Sequence, residues 1–408
     1  TLLDYFARAG ARPCGLNENP AEYILELVSG DKNPEIDWVN NWNNSPEFDQ
    51  VIKELERLGT GRVEVGSARE KSITTDDEVS KEFALPLIAQ FTHVARRAFQ
   101  QYFRQPEYIF TKFALGIFSG LFIGFSFWKA DSTQQGFQNA LFSIFLFATI
   151  FTTLVNQIMP KFVTQRSLYE VRERPSRVYS WKVFVLSQML VEIPWQILLA
   201  ICAWSCFYFP VFGVGSSSDA KGLVLLFIIQ FYVYAATIAQ MVVAAIPDPS
   251  LGAMLAILLF GLSFIFNGVM QPPDALPGFW IFMWRVSPFT YYVSGLASAA
   301  LHGRKIICSK SELSVLNPPQ GQTCGDYLAK FLAAAPGTLY NPESTTSCQY
   351  CPLSLADQYL GMRRIYWDER WRNYGIFCCY MGFNVFATVS LYYVFRVRAW
   401  KLKQTTNG

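Results

Sequence analysis

The sequence predicts an all-α polytopic membrane protein built on six transmembrane helices, and three observations predict it. Charged residues make up 16% of the 408, against about 25% in soluble domains. The deficit is uneven. Residues 1–87 are polar like an ordinary cytosolic segment, and long uncharged runs dominate from Tyr108 onward. Six of those runs reach the roughly 20 apolar residues a helix needs to cross a bilayer core of about 30 Å.

In chain order the spans are expected over Tyr108–Trp128, Phe137–Met159, Val183–Val211, Gly222–Ile246, Leu251–Val269 and Tyr374–Phe395. The second, fourth, fifth and sixth carry no charged residue. The first holds Lys112 near its start, where the side chain is expected to snorkel to the headgroups. The third holds Glu192, just before Pro194. A carboxylate at mid-membrane depth costs about 2.5–3.5 kcal/mol, so a partner or water is expected. No second intramembrane acid is available for a relay, which favours a structural polar contact over proton coupling.

Orientation follows from the basic residues. Lys161, Arg166, Arg172, Arg174, Arg177 and Lys182 crowd the loop between spans two and three, whereas the short loops after spans one and three hold only Lys129 and Lys221. The C-terminal end adds Arg396, Arg398, Lys401 and Lys403. The positive-inside rule then puts both termini in the cytosol and residues 301–372 outside. A net charge of +3 is too small to imply a nucleic-acid partner.

The polar segments have their own signals. Asn19, Pro20 and Glu22 form a helix start ahead of Tyr23–Val28, which Ser29-Gly30 closes. Ser45-Pro46 opens a second helix with Phe48, Val51, Ile52, Leu55 and Leu58 on one face, ended by Gly59. Residues 60–82 read as a flexible linker. From Ile88 to Arg104, apolar residues at helical spacing oppose His93, Arg96, Arg97 and Arg104, the pattern of an amphipathic helix in the cytosolic interface. Pro106 breaks it before the membrane. Asp248, between Pro247 and Pro249, sets a tight turn from span four to span five. Pro272, Pro273 and Pro277 rule out one straight helix after span five, so Phe279–Ala300 is expected to form short re-entrant or interfacial helices.

Cys308, Cys324, Cys348 and Cys351 share the exterior loop, which implies two disulfides with three possible pairings. A zinc site lacks its second ligand pair, because Cys308 and Cys324 are too far apart in sequence to supply it. The loop has no N-x-[ST] acceptor, so no glycosylation is expected there.

Certain motifs resemble one family. Asn19-Pro20-Ala21-Glu22-Tyr23 is similar to the segment that ends a nucleotide-binding domain in fungal pleiotropic-drug-resistance ABC transporters, full-size members of the G-subfamily type. Arg172-Glu173-Arg174-Pro175, Tyr179-Ser180-Trp181 and Glu192-Ile193-Pro194 resemble that family's stretch from the second to the third span. Phe266-Asn267-Gly268-Val269, Leu276-Pro277-Gly278-Phe279-Trp280 and Ser287-Pro288-Phe289-Thr290-Tyr291 resemble its fifth span and following outer segment. The order and spacing of these matches carry the resemblance across essentially the whole chain.

The resemblance implies the six-span ABC-2, G-type exporter fold. It divides the chain into the tail of a nucleotide-binding domain (1–30), a cytosolic linker (31–87), a connecting helix (88–106) and spans one to five with the re-entrant segment (107–300). An extracellular loop (301–372) and span six with a cytosolic C-terminus (373–408) complete it. It also implies the nested disulfides Cys308–Cys351 and Cys324–Cys348. The partners it implies are the N-terminal half of the same full-length transporter, a hydrophobic small-molecule or lipid substrate, and membrane lipid, with no nucleic acid. ATP and Mg would be held by nucleotide-binding domains outside this segment, since no G-x-x-x-x-G-K-[ST] loop occurs here. Thr1 rather than Met begins the chain and no three-part signal peptide precedes the apolar runs, which fits a piece of a longer gene product.

The expected function is the transmembrane half of an ATP-driven exporter that moves drugs, other xenobiotics or lipids out of the cell, in the plasma membrane. The basic loop 160–182 would be the coupling element, with Arg166, Glu170, Arg172 and Glu173 docking on a nucleotide-binding domain. The second and fifth spans would line the substrate cavity, offering Phe145, Thr149, Phe151, Asn156, Leu258, Ser263, Phe264, Phe266 and Asn267. The competing readings are a non-transporting scaffold or receptor, a truncated remnant without an ATP site, a channel and a membrane enzyme. The last has little support: His93 and His302 are the only histidines, and no H-E-x-x-H occurs. No ring-forming motif marks a channel.

Overall fold

The computed structural model describes residues 2–15, 18–28, 37–57, 82–215 and 217–399. The helix stops expected at Ser29-Gly30 and Gly59, nearly all of the expected linker, and Lys401 and Lys403 lie outside those residues. The chain divides into two compact units, residues 1–81 and 82–408.

The first unit is four short helices: α1 (Leu2–Arg8), α2 (Pro20–Val28), α3 (Trp38–Asn43) and α4, over 46–57. The Asn19 side chain accepts the Ala21 N–H at 3.1 Å and starts α2, with Pro20 as its first residue. Phe6, Ala11, Tyr23 and Leu27 make a small core flanked by Trp38. The apolar stripe expected to bury α4 is instead largely open, with Val51, Ile52 and Leu55 all exposed.

The second unit begins with α5 (Leu87–Phe103), which buries Gln90, Val94, Ala98 and Tyr102 and leaves Ile88 and Phe103 exposed. Pro106 then opens α6 (Pro106–Ser126), the first span. Span two is one long rod over Gln134–Glu173, made of α7 (Gln134–Ala148), α8 (Ile150–Leu168) and a π-helical turn at Tyr169–Glu173. The rod is interrupted at Thr149, where the hydroxyls of Thr149, Thr152 and Thr153 bond back to the carbonyls of Leu146, Thr149 and Ile150, a habit that bends helices. The basic loop expected over 160–182 is therefore mostly helix. Pro160 sits inside α8 without ending it.

Span three is α9 (Trp181–Phe212) and span four is α10 (Ser218–Ala245). Helix α10 is the central post, packed on α8, α9, α11, α13 and α16, which is why it is the most completely buried span. Span five is α11 (Pro249–Ile265); its N-cap is Asp248, whose carboxylate accepts the Leu251 N–H at 2.9 Å. At 17 residues and 1.5 Å each it measures about 26 Å, shorter than the other five. Two helices follow it, α12 (Ile281–Val286) and α13 (Pro288–Leu301), which is buried at every residue but Tyr291. Helix α13 inserts between α10 and α16, so the expected re-entrant pair has one surface member and one core member. Span six is α16 (Arg370–Tyr392), continued by a π-helical stretch, Tyr393–Arg398.

Between α13 and α16 lies a small disulfide-bonded lobe. It holds α14 (Cys324–Ala334), α15 (Ala356–Gly361) and an antiparallel sheet of β1 (Ser314–Leu316), β3 (Cys348–Cys351) and β2 (Thr338–Leu339), in that spatial order. Cys308 is bonded to Cys351 and Cys324 to Cys348. The Glu312 carboxylate fastens this lobe to the start of span two by accepting the N–H groups of Gln135 (2.8 Å), Gln134 (3.3 Å) and Ser309 (2.9 Å).

Candidate functional site

The π turn at Tyr169–Glu173 and the residues up to Ser180 form an elbow onto which other elements are tied. Arg177 adopts a positive φ of 51° that turns the chain back, and Ser180 caps α9. The Ser180 N–H donates to Gln90 Oε1 at 3.0 Å, and Gln90 Nε2 donates to the Leu85 carbonyl at 2.5 Å. Arg97 on α5 grips Glu173 with both guanidinium nitrogens, at 2.6 and 3.1 Å. The Tyr179 hydroxyl also donates to Glu173 and accepts from Arg97 at 3.1 Å. Such bidentate, charge-assisted contacts fix orientation as well as distance.

The end of span six joins the same elbow. Glu170 accepts the Tyr392 hydroxyl at 3.3 Å and lies 3.8 Å from the Arg396 guanidinium. Arg174 donates to the carbonyls of Arg396 (3.2 Å) and Val397 (3.5 Å). Arg166 turns the other way. It is 3% exposed and donates to the carbonyls of Val243, Ile246 (3.1 Å) and Pro247 (2.7 Å). Those groups would otherwise be orphaned where α10 ends. Arg166 was expected to dock on another domain, and the structure instead spends its donors inside this one. Of the four residues grouped from sequence, Glu170 and Glu173 bind neighbouring elements, Arg166 caps a helix, and Arg172 is exposed beside Val171 and Val178. Sequence reasoning missed Gln90, Arg174 and Tyr179 in this role; the one available signal was the spacing of Gln90 with Val94 and Ala98, which puts an amide on the apolar face of the helix.

A second polar cluster is sealed between α5, α6 and α9. Lys112 and Glu192 form an ion pair in which each side chain is 1% exposed. The Tyr108 hydroxyl donates to Glu192 at 3.2 Å and accepts from Lys112 at 3.2 Å, and Gln196 Nε2 donates to Glu192 at 2.8 Å. Lys112 therefore does not snorkel. A charge on a buried helix face is tolerated when an opposite charge neutralises it and hydrogen bonds fill its remaining sites. Lys161 stands next to the cluster, 4.8 Å from the Tyr102 ring centroid and 5.5 Å from that of Tyr108.

The residues expected to line a cavity separate into two sets. Asn156 and Leu258 are exposed, and Phe145, Thr149, Ser263, Phe264 and Phe266 are half-buried. Phe145 stacks on Phe264 at 4.1 Å and joins spans two and five, and Phe266 stacks on Trp280 at 5.1 Å. Ser263 offers its carbonyl to the Ser287 hydroxyl at 2.6 Å. Phe151 and Asn267 are not on that face. Phe151 is 1% exposed, clamped by Phe260 and Phe289 in the core of this unit, and Asn267 is 4% exposed beneath the turn that ends span five.

The geometry is that of a helical membrane domain with a tied elbow at its basic end and a disulfide-bonded lobe at the other. Residues 89–301 match the family model described as "ABC-2 type transporter", and the chain belongs to that family. It is 58% identical, over 97% of its length, to the ABC-type transporter adrC of Penicillium roqueforti. It is 53% identical over 98% of its length to the ABC multidrug transporter MDR1 of Trichophyton interdigitale, and 52% identical over 98% to atrI of Aspergillus fumigatus. The chain spans about a quarter of the length of these relatives, 27%, 25% and 27% in turn. Among the described residues no group of three or more His, Cys, Asp or Glu could hold a metal ion. The sequence has no G-x-x-x-x-G-K-[ST] loop.

Proposed function

We propose that this chain is the second membrane half of a full-size ATP-driven exporter that moves hydrophobic small molecules, among them drugs, or lipids out of the cell. The observation that carries the reading is the elbow. Through Glu173 and Glu170 it is tied to the connecting helix and to the end of span six, and Arg166, just before it in α8, is tied to the turn between spans four and five. A push on the exposed Arg172 side of the elbow would reach all of these at once. In this reading the basic end is cytosolic, the membrane is the plasma membrane, and residues 1–30 belong to a nucleotide-binding domain. ATP and Mg are bound by parts of the parent outside this chain.

Substrate would meet the open face of spans two and five, where Phe145, Thr149, Asn156, Leu258, Ser263, Phe264 and Phe266 mix aromatic area with a few hydroxyl and amide groups. That chemistry suits varied apolar molecules held by packing. The test is Glu173→Ala in the full-length parent. Efflux should fall about tenfold at unchanged surface expression, because α5 loses its bidentate hold on the elbow. Normal efflux at normal expression would remove the coupling role.

A further inference from the structure

Span five ends in a turn that holds a buried amide in one orientation. Asn267 Oδ1 accepts the Val269 N–H at 3.0 Å, so the Asn267 Nδ2 donors face away from that turn. Gly268 makes the turn with φ of 88°, and a Cβ there would lie 3.0 Å from the Trp284 ring nitrogen. Arg363 donates to the Val269 carbonyl and fastens the turn from outside. Across a small cavity stands Asn373, in the first turn of span six, whose Nδ2 donates to Ser294 Oγ of α13 at 3.2 Å. Asn267 is 4% exposed and Asn373 2%.

Each of these amides keeps one polar atom without a partner among the described residues, Nδ2 of Asn267 and Oδ1 of Asn373. Both residues line the same cavity, together with Thr290 and Ser294 of α13, and its volume is about 40 Å³. Buried polar atoms in native proteins find a partner, in protein or in ordered water. Turning the Asn373 amide over would exchange which of its atoms faces the cavity and still leave one unpartnered. With the amides as they stand, a suitable occupant accepts from Asn267 and donates to Asn373, and a cavity of about 40 Å³ exceeds the ~10–15 Å³ that one water needs.

We infer that this cavity is an ordered-water site that bridges Asn267 to Asn373 and so pins the end of span five, the re-entrant helix α13 and the start of span six to one another. The inference does not rest on the transport reading. It also removes Asn267 from the substrate-facing wall and gives its amide a positioning task. The arginines at the mouth are engaged elsewhere, Arg363 on Val269, Arg364 on Asp274 and Arg372 on Glu369, which leaves the deep end to neutral donors and acceptors.

The test uses the full-length parent in lipid nanodiscs, imaged at a resolution that shows ordered water. A single peak within hydrogen-bond reach of both amides, unchanged when gluconate replaces chloride, is the expected result. No peak, a peak lost in gluconate, or elongated aliphatic density would each overturn the inference. A double-mutant cycle adds a second readout. Asn267→Leu and Asn373→Leu should each lower Tm, and the double variant should lose clearly less than the sum; strict additivity would overturn the bridge. If a leucine variant fails to fold, the peak in the unaltered protein decides alone.

Discussion

Lys112 and Glu192 illustrate how a charge survives burial: each satisfies the other, and Tyr108 and Gln196 occupy what is left. Removing one member of such a pair leaves the other uncompensated, at a cost of about 3–5 kcal/mol, whereas replacing both by apolar groups is often neutral. Glu192→Ala should therefore lower the thermal midpoint of the purified parent strongly, and Lys112→Met with Glu192→Leu should recover most of it. Glu312 gives a pH-dependent counterpart in the disulfide-bonded lobe. Burial alone would raise its pKa, but the N–H groups of Ser309, Gln135 and Gln134 outweigh it and hold the carboxyl below its usual range. A depressed carboxylate contributes stability that is full above the unfolded pKa of about 4.3 and is lost as pH falls through the folded value. Protection of the Gln134 and Gln135 amides, read against their intrinsic exchange rates, should fall as the solution is acidified below pH 4, and in Glu312→Gln it should already be low at neutral pH. At this scale the sequence was only half legible. It showed that Glu192 needs a partner, but the partner lies 80 positions away, and no local pattern points from one to the other. Arg166 was misjudged for a similar reason, since its acceptors are backbone carbonyls and carry no sequence signature.

Helix α6 packs on α9 through Gly116, Gly120 and Gly124, spaced one turn apart. Without a hydrophobic force between helices in lipid, close backbone approach is what holds such a pair. A Cβ on Gly124 would lie 2.7 Å from the Cys206 carbonyl oxygen, backbone that cannot move aside, whereas one on Gly261 meets nothing within 4 Å. Gly124→Ala should cost about 1–3 kcal/mol through overpacking, and Gly261→Ala should be near neutral, as read by thermal unfolding in detergent. The spans themselves were legible, because length and apolar composition are what a bilayer demands and a sequence displays both. Helix α5 was legible through its amphipathic spacing. The region 160–182 was not. Its charges read as a loop, yet helix geometry tolerates charge wherever a partner element supplies counter-charge, as Glu170 and Glu173 do toward Arg396 and Arg97.

For the whole molecule, the disulfide-bonded lobe is a small body stapled onto a membrane bundle. Its sheet has three short strands, too little core to fold securely without cross-links. The Cys308–Cys351 bond spans 43 residues, and closing a loop of that size is worth about 4 kcal/mol by the chain-entropy model. Cys308→Ser with Cys351→Ser should unfold the lobe at physiological temperature while the spans stay protected, which limited proteolysis of the purified parent would show as cleavage confined to 301–372. The architecture was readable in outline from cysteine count and hydropathy, whereas the pairing followed only from family resemblance. The candidate site was readable as a neighbourhood rather than as a set of contacts. Glu173 was singled out, but Gln90, Tyr179 and Arg174, which make the elbow rigid, were not.

The short fifth helix has a consequence for the surrounding lipid. A rod of about 26 Å beside five longer ones leaves a notch in the apolar belt, and the aromatic shelf of Phe279, Trp280 and Phe282 stands at its rim. Wherever lipid rather than substrate meets the notch, acyl chains must compress or tilt to cover it, at fractions of a kcal/mol per ångström of mismatch. Lipid admitted to that flank would meet a thinner apolar belt than lipid against the other spans.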